Sequence, residues 1–408
     1  MTEPSSPSMD GGALRILSVA PTSFFNDYGC HVRILEEARA VQALGHDVTI
    51  LTYFKGNDVP GIRVIRTTPT PWRSNYEVGS SRHKYAFDAL LAIRLVRVLA
   101  RNRFDVIHAH LHEGALIAGL LARPWRIPVF MDYQGSMTDE MVQHGFLRPG
   151  HAIAARFWRG IESLAERLPA AIFASTQNAA DSLQRRMPMA NIIPLVDGVG
   201  VSFVRPDRLT QAERADLRER YGVPRGADVA VFLGLLARHQ GIEHIIEAAA
   251  LLRERRPNLR WVVMGYPGEG GWRKIAEARG VGDLVFFTGR VPYDRMPEML
   301  SMGDIALAPK LSLTEGSGKL LNYMAMSMPT VAYDTPAQRE LLGDLGIYAP
   351  VGDISTFADK VDGLLRDRIA WRSIGAGLRA RAEASFSWER EARTMIDAYR
   401  AVLAKARA

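Results

Sequence analysis

The stretch LRILSVAPTSFFNDYGCHVRILEEARAVQALGHDVTILT, Leu14–Thr52, sets the pattern for the chain. Leu14–Ala20 is a short apolar run of buried-strand type, and Gly29–Leu44 carries apolar residues at helical spacing. Gly45 stops that helix, and Asp47–Thr52 (DVTILT) is the next strand. A continuous apolar strand, a helix and a second such strand make the parallel βαβ unit, with both sheet faces covered. Ile62–Arg66, Asp105–Ala109, Pro128–Met131 and Ala170–Ala174 extend the series. A second series opens at Asp228–Gly234 (DVAVFLG), runs into a helix from Ile242, and continues through Leu259–Gly265, Leu284–Phe287, Asp304–Ala308 and Thr330–Tyr333. Between the two, Arg205–Arg225 holds Pro206 and the charged run Thr210–Arg220, which reads as the break. The expected fold is therefore α/β, with two doubly wound Rossmann-like domains, 14–205 and 206–388. Ligands of such sheets sit at the carboxyl ends of the strands, and two facing domains would hold them in the cleft between.

Composition agrees. The 408 residues suit two domains, and 47% hydrophobic with 23% charged residues excludes wholesale disorder. Lys plus Arg less Asp plus Glu is 51 − 44 = +7, too mild a balance to indicate nucleic acid, so no nucleic-acid partner is expected. Cys30 is the single cysteine, which excludes an intramolecular disulfide and a cysteine zinc cluster; a cytoplasmic setting is the expectation. No run of 18 apolar residues suggests a membrane span. Met1–Ala13, rich in Ser, Pro and Gly, reads as a disordered lead rather than a signal peptide.

Five segments carry polar chemistry at strand ends. In Leu313–Pro329 (LTEGSGKLLNYMAMSMP), Gly316, Ser317 and Gly318 open a helix whose free N–H groups suit a phosphate. Lys319, in its first turn, opposes the helix dipole and so serves stability poorly, which points to an anionic ligand; Glu315 is placed to accept from sugar hydroxyls. The plain alternative is a Gly-rich turn with a solvated Lys. Gly234–Gly241 (GLLARHQG) is a second strand-to-helix loop, with Arg238 and His239 as nearby cations, weighed evenly against a solvated surface loop. In Asn26–Arg33, Gly29 permits close backbone approach at the first helix, while Cys30 reads as an inert thiol. His108, His110 and His112 alternate at a strand end and could meet one metal, but no second-ligand pattern accompanies them; no metal is expected, and His110 is a substrate-contact candidate. Asp132, Tyr133 and Gln134 in MDYQGS cluster polar groups after a strand, where a turn is the bland reading. Finally, a helix within Tyr76–Phe104 combines the stripe Phe87, Leu91, Leu95, Val98, Leu99 with a local excess of cations. A solvated outer face is favoured there over peripheral contact with an anionic inner-membrane surface.

Taken in order, these segments resemble the family 4 retaining glycosyltransferases of GT-B architecture, from Leu14 to the last helix. GLLARHQGIE is similar to the family's Gly-Arg-Leu…Lys-Gly loop, VVMGYPGEG to its strand and Gly turn, FFTGRVPYDRMPEML to its FLGxV…ELP.LL stretch, and TEGSGKLLNYMAMSMPTVAYD to its Glu-x7-Glu segment. NIIPLVDGVGVSFVRP resembles its hinge, and FSWERE the start of a final helix, 389–408, returning to the first domain. The resemblance implies a nucleoside diphosphate sugar donor on the second domain and an acceptor (a glycan such as a growing polysaccharide, a lipid-linked sugar or a small molecule) on the first. It implies retained anomeric configuration and no cofactor or required metal. Carried over, Glu315 contacts the donor sugar, Gly316, Ser317, Gly318 and Lys319 face the diphosphate, and Asn322 approaches the ribose. Gly265 and Arg290 lie near the base, Gly29 near the phosphates, and Gln240 and Leu320 complete the donor set. Asp132, Tyr133, Gln134 and His110 are then the acceptor candidates.

Four positions depart from the family pattern. Its loop Arg and Lys fall on Leu235 and Gln240, its second Glu on Asn322, and its first-domain His on Gln134. Leaving-group charge is usually the largest catalytic demand, so Lys319 and Arg238 are expected to replace the lost cations. A non-catalytic nucleotide or sugar binder and a sugar-nucleotide epimerase of the same architecture are the alternatives.

Overall fold

The computed structural model describes residues 12–26, 29–70, 84–143, 152–311 and 318–407. The chain divides into two compact units, Met1–Val196 with Glu389–Ala408, and Asp197–Trp388.

The first unit runs β1 (Arg15–Ala20), α1 (Gly29–Ala43), β2 (Asp47–Thr52), β3 (Arg63–Arg66), α2 (Lys84–Arg101), β4 (Val106–His110), α3 (Leu111–Leu121), β5 (Val129–Tyr133), α4 (Met137–Gln143), α5 (Ala152–Arg167), β6 (Ala171–Ala174), α6 (Gln177–Arg186) and β7 (Ile192–Pro194). Its sheet is seven-stranded and parallel, in the order β3-β2-β1-β4-β5-β6-β7. Leu17, Val19, Ile107, Ala109, Met131 and Ile172 point to one face and share a buried cluster with the α2 stripe Phe87, Leu91, Leu95, Val98 and Leu99. That stripe is thus core, and the cations Arg97 and Arg101 lie on the opposite, exposed side of α2.

The second unit runs α7 (Gln211–Arg220), β8 (Asp228–Leu233), α8 (Ile242–Leu252), β9 (Leu259–Met264), α9 (Glu269–Ala278), β10 (Val285–Gly289), α10 (Met296–Leu300), β11 (Ile305–Ala308), α11 (Gly318–Ala325), β12 (Thr330–Tyr333), α12 (Pro336–Leu342), β13 (Ile347–Ala349), α13 (Ile354–Arg366) and α14 (Arg368–Ser385). A last helix, α15 (Trp388–Arg407), belongs to the first unit from Glu389 on. The second sheet is parallel in the order β10-β9-β8-β11-β12-β13. Trp261, Val263, Leu307 and Tyr333 on its strands pack against Ile245 and Ala249 of α8 and Phe357 and Val361 of α13.

The charged run read as the break is α7, inside the second unit; Thr210 caps it in a reciprocal box with Glu213, so the sequence's polarity there marks a capped surface helix. The division falls at Val196/Asp197. β7 and β13, three residues each, are edge strands too short to show a period, and the sequence reading lacked both. Most of the N-terminal lead, Met1–Gly11, and Glu315, Gly316 and Ser317 lie outside the described residues.

Candidate functional sites

In each sheet the strand order reverses once, between β1 and β4 and between β8 and β11. The crevice beyond the carboxyl ends at such a switch point is where ligands of open α/β sheets bind.

In the second unit, the β8 carboxyl end passes through Gly234, whose φ of 148° is open to glycine. A Cβ there would sit 3.0 Å from Lys319 Nζ, and a Cβ on Gly265 would strike the Gly234 carbonyl at 1.8 Å. Gly265 is therefore a packing glycine that lets the β8 and β9 ends come together. The described α11 begins at Gly318 and puts Lys319 in its first turn, folded back over β8. Lys319 Nζ donates to Gln240 Oε1 at 2.8 Å and lies 4.0 Å from the centre of the Phe232 ring. Burial, and secondarily the neighbouring Lys310, hold its ammonium well below the usual lysine range. Gln240 is buried at the end of a 3-10 turn, Arg238–Gln240, whose next residue, Gly241, has φ 80°. A Cβ on Gly241 would meet the Pro309 carbonyl at 2.0 Å, so this loop lies directly on the segment leaving β11. The Leu233 N–H donates to Tyr323 Oη at 2.7 Å, which ties α11 to the end of β8. Trp272 Nε1 donates to the Leu236 carbonyl at 2.9 Å and fixes the far side of the loop.

The structure thus gathers Gly234, Gln240, Lys319 and Gly265 at one switch point. Arg238 is exposed and reaches Glu243 only at 4.0 Å, a rim position. Arg290 stacks over Tyr266, 5.4 Å from its ring centre, at the ends of β9 and β10. Asn322 is half-buried on α11. The Leu320 side chain is fully buried in the interior. Sequence reasoning missed Phe232, Tyr323 and Lys310. Lys310, two residues past β11 and 5% exposed, could have been found as a cation at a strand's carboxyl end.

In the first unit, β5 continues to Tyr133, so Asp132 is a buried strand residue and not a turn residue. Arg33 explains how a carboxylate is tolerated there. Its guanidinium donates to Asp132 Oδ1 at 2.8 Å and to the Leu195 carbonyl at 3.1 Å, and pairs with Glu37 at 2.9 Å. His110 Nδ1 lies 3.0 Å and Gln134 Nε2 2.7 Å from Asp132 Oδ2, and His110 Nε2 lies 2.9 Å from Ser18 Oγ. Burial pushes the Asp132 carboxyl up, but Arg33 and His110 more than offset this and hold it below the usual carboxylate range. His108 Nδ1 meets Tyr399 Oη of α15 at 2.5 Å, and burial holds its imidazole well below the usual histidine range, with His110 adding to the effect. Asp132 and His110 are therefore locked inside an ion network. Of the proposed acceptor group, Gln134 is the partly exposed member. Arg33 and Glu37 went unrecognised, although charges four apart on the buried side of α1 are a legible signal.

The three histidines do not share one face. β4 ends at His110, and Leu111 (φ 61°) turns the chain, so His112 sits on α3 against Tyr133, Glu162 and Glu166. Gly29 starts α1, with open space where a Cβ would stand. Cys30 is half-buried beside it.

Residues 28–195 match the model of the glycosyl transferase 4-like domain and residues 213–381 that of the glycosyl transferases group 1. The chain is 34% identical over 290 residues to the α-D-kanosaminyltransferase of Streptomyces kanamyceticus, covering 68% of this chain and 72% of that one. Among solved structures, it is similar to sucrose-phosphate synthase from Thermosynechococcus elongatus (TM-score 0.78, 17% identity, 96% of this chain and 100% of that one). It is also similar to Anabaena HepE in complex with UDP-glucose (TM-score 0.73, 15% identity, 95% and 100%).

Proposed function

Because the chain belongs to the group 1, 4-like glycosyltransferases and has their GT-B fold, we propose that it is a retaining, metal-independent enzyme using a nucleoside diphosphate sugar. The observation that carries this reading is the desolvated Lys319 ammonium, held by Gln240 and Phe232 at the second unit's switch point. A diphosphate arriving there meets a cation with little hydration to lose, in a low-dielectric setting where charge counts most. HepE's complex with UDP-glucose supports a uridine diphosphate donor as the first to test.

The acceptor hydroxyl attacks the anomeric carbon from the face the diphosphate leaves. The carbon–phosphate-oxygen bond breaks as the carbon–acceptor-oxygen bond forms, and the proton passes to the departing phosphate oxygen. Lys319 stabilises the leaving charge, with Arg238 joining from the rim. Asn322 takes the ribose, the Gly265 backbone and Arg290 lie by the base, and Glu315 holds the sugar hydroxyls. The acceptor sits by Gln134 at the carboxyl end of β5; glycans, lipid-linked sugars and small molecules are the candidate classes, and polysaccharide biosynthesis is one setting. No helix among the described residues is long and apolar enough to cross a membrane. We place the protein in the cytoplasm, with Arg97 and Arg101 on the exposed side of α2 offering a peripheral contact to an anionic membrane.

The test is a thermal-shift panel of nucleoside diphosphates and their sugars, followed by assay of free diphosphate with candidate acceptors. Turnover with the donor's anomeric configuration kept, and undiminished by a chelator, is expected. Donor binding with no product for any acceptor would support the binder, and sugar isomerisation without an acceptor the epimerase.

A further inference from the structure

Among the described residues, two buried clusters of histidine and carboxylate occur in the first unit, and of the two the first encloses a buried guanidinium, that of Arg33. In the Arg33 network, His110 has a partner on each ring nitrogen and Asp132 is bracketed by Arg33, His110 and Gln134. In the second cluster, His112 is 4% exposed and its Nε2 has no hydrogen-bond partner among the described residues. That nitrogen faces Glu166 Oε1 at 3.6 Å and Glu162 Oε1 at 3.7 Å, beyond hydrogen-bond length yet close enough for an ion to bridge. Glu162 and Glu166 are four apart on one face of α5, both buried, and the three ligand atoms lie within 4.8 Å of one another.

Both carboxylates are also held from behind. Thr138 Oγ1 donates to Glu162 Oε2 at 2.5 Å, and Arg186 forms a two-pronged pair with Glu166 at 2.9 and 3.1 Å. Such outer partners orient ligands and leave further lone pairs free. Two buried carboxylates against one half-exposed guanidinium leave a net negative charge inside, which calls for a cation. A surface groove of about 510 Å³, lined by Arg167, Arg186 and Met187 among others, reaches Glu166 of the cluster.

We propose that His112, Glu162 and Glu166 form a binding site for one divalent ion of the zinc class, clamping α3 to α5. One imidazole and two carboxylates suit zinc, with water as the fourth ligand; an imidazole disfavours magnesium. The site lies within the first unit, apart from the Lys319 pocket, and its role is structural, so its failure leaves the transferase reading intact.

The test uses the full-length protein, dialysed against a chelator and then titrated with Zn²⁺ or Mg²⁺. Wild type should bind one more Zn²⁺ per chain than His112→Ala or Glu162→Gln, with at least tenfold loss of affinity for that ion in either variant. Zn²⁺ should raise the wild-type Tm by several degrees and those of the variants less. X-ray absorption of the loaded protein should show one imidazole in a nitrogen/oxygen shell. Equal stoichiometry in wild type and the near-isosteric Glu162→Gln overturns the proposal. A Mg²⁺ response as large as that of Zn²⁺ overturns the zinc-class assignment.

Discussion

Lys319 stands where two physical demands oppose each other. In the first turn of α11 it opposes the helix dipole, and over Phe232 it gives up water. Both costs are offset when an anion arrives. Replacing Lys319 with Met should therefore cost about 10²–10³ in kcat, the loss typical of one leaving-charge stabiliser, with little change in Tm. A variant with intact turnover would move the leaving-group site elsewhere. The depressed ammonium also makes binding proton-linked. A bound diphosphate raises the lysine's pKa again, so binding takes up protons, and affinity declines as pH rises through the lowered value of the free protein. Calorimetry of uridine diphosphate binding in buffers of different ionisation heat should show this uptake in wild type and not in Lys319→Met. The Gly-Ser-Gly-Lys spelling singled out Lys319 as a candidate. That Gln240, the residue at the family's second cation position, would be its partner was not legible, because 79 residues separate the two and only the switch-point geometry joins them.

Among the elements, α2 separates two readings of one pattern. Its stripe at 87, 91, 95, 98 and 99 was plain from spacing, but a core stripe and a lipid-facing stripe are spelled alike. Here the stripe is buried on the sheet. Leu91→Ala should destabilise the protein by about 2–5 kcal/mol in denaturant titration, the range for emptying a buried leucine site. Changing Arg94, Arg97 and Arg101 together to Gln should lower association with anionic liposomes at unchanged Tm. Liposome binding untouched by that triple change would remove α2 as the contact. Strand limits follow the same logic: β4 and β5 each run one or two residues beyond their apolar signal, since His110 and Asp132 stay in the sheet once they pair.

For the whole molecule, the last helix matters most to the first unit. Tyr399, nearly 300 residues after His108 (separation 291), closes a buried network that β1, α1, β4 and β5 begin. Because burial depresses the His108 pKa, the native state keeps this imidazole neutral, while the unfolded chain takes up a proton below about 6.5. The contribution is therefore intact above that pH and is lost as pH falls through the window from 6.5 down toward the lowered native value. Wild type should lose Tm on going from pH 7 to pH 5, and His108→Gln, which keeps a polar partner for Tyr399 but cannot titrate, should lose less. A Gln variant with the same pH dependence would shift the acid sensitivity to another group.

The amino-acid sequence alone determined the two βαβ series and the parallel sheets, and it marked the Gly-Ser-Gly-Lys segment as a candidate, because each depends on residues within one turn or one strand of each other. Tertiary structure alone decided the rest. It placed Gln240 under Lys319 and Arg33 beside Asp132, and it parted His112 from the other two histidines. Those outcomes turn on which distant groups share a low-dielectric interior, where an unpaired charge is costly and its partner is chosen by proximity in space rather than by distance along the chain.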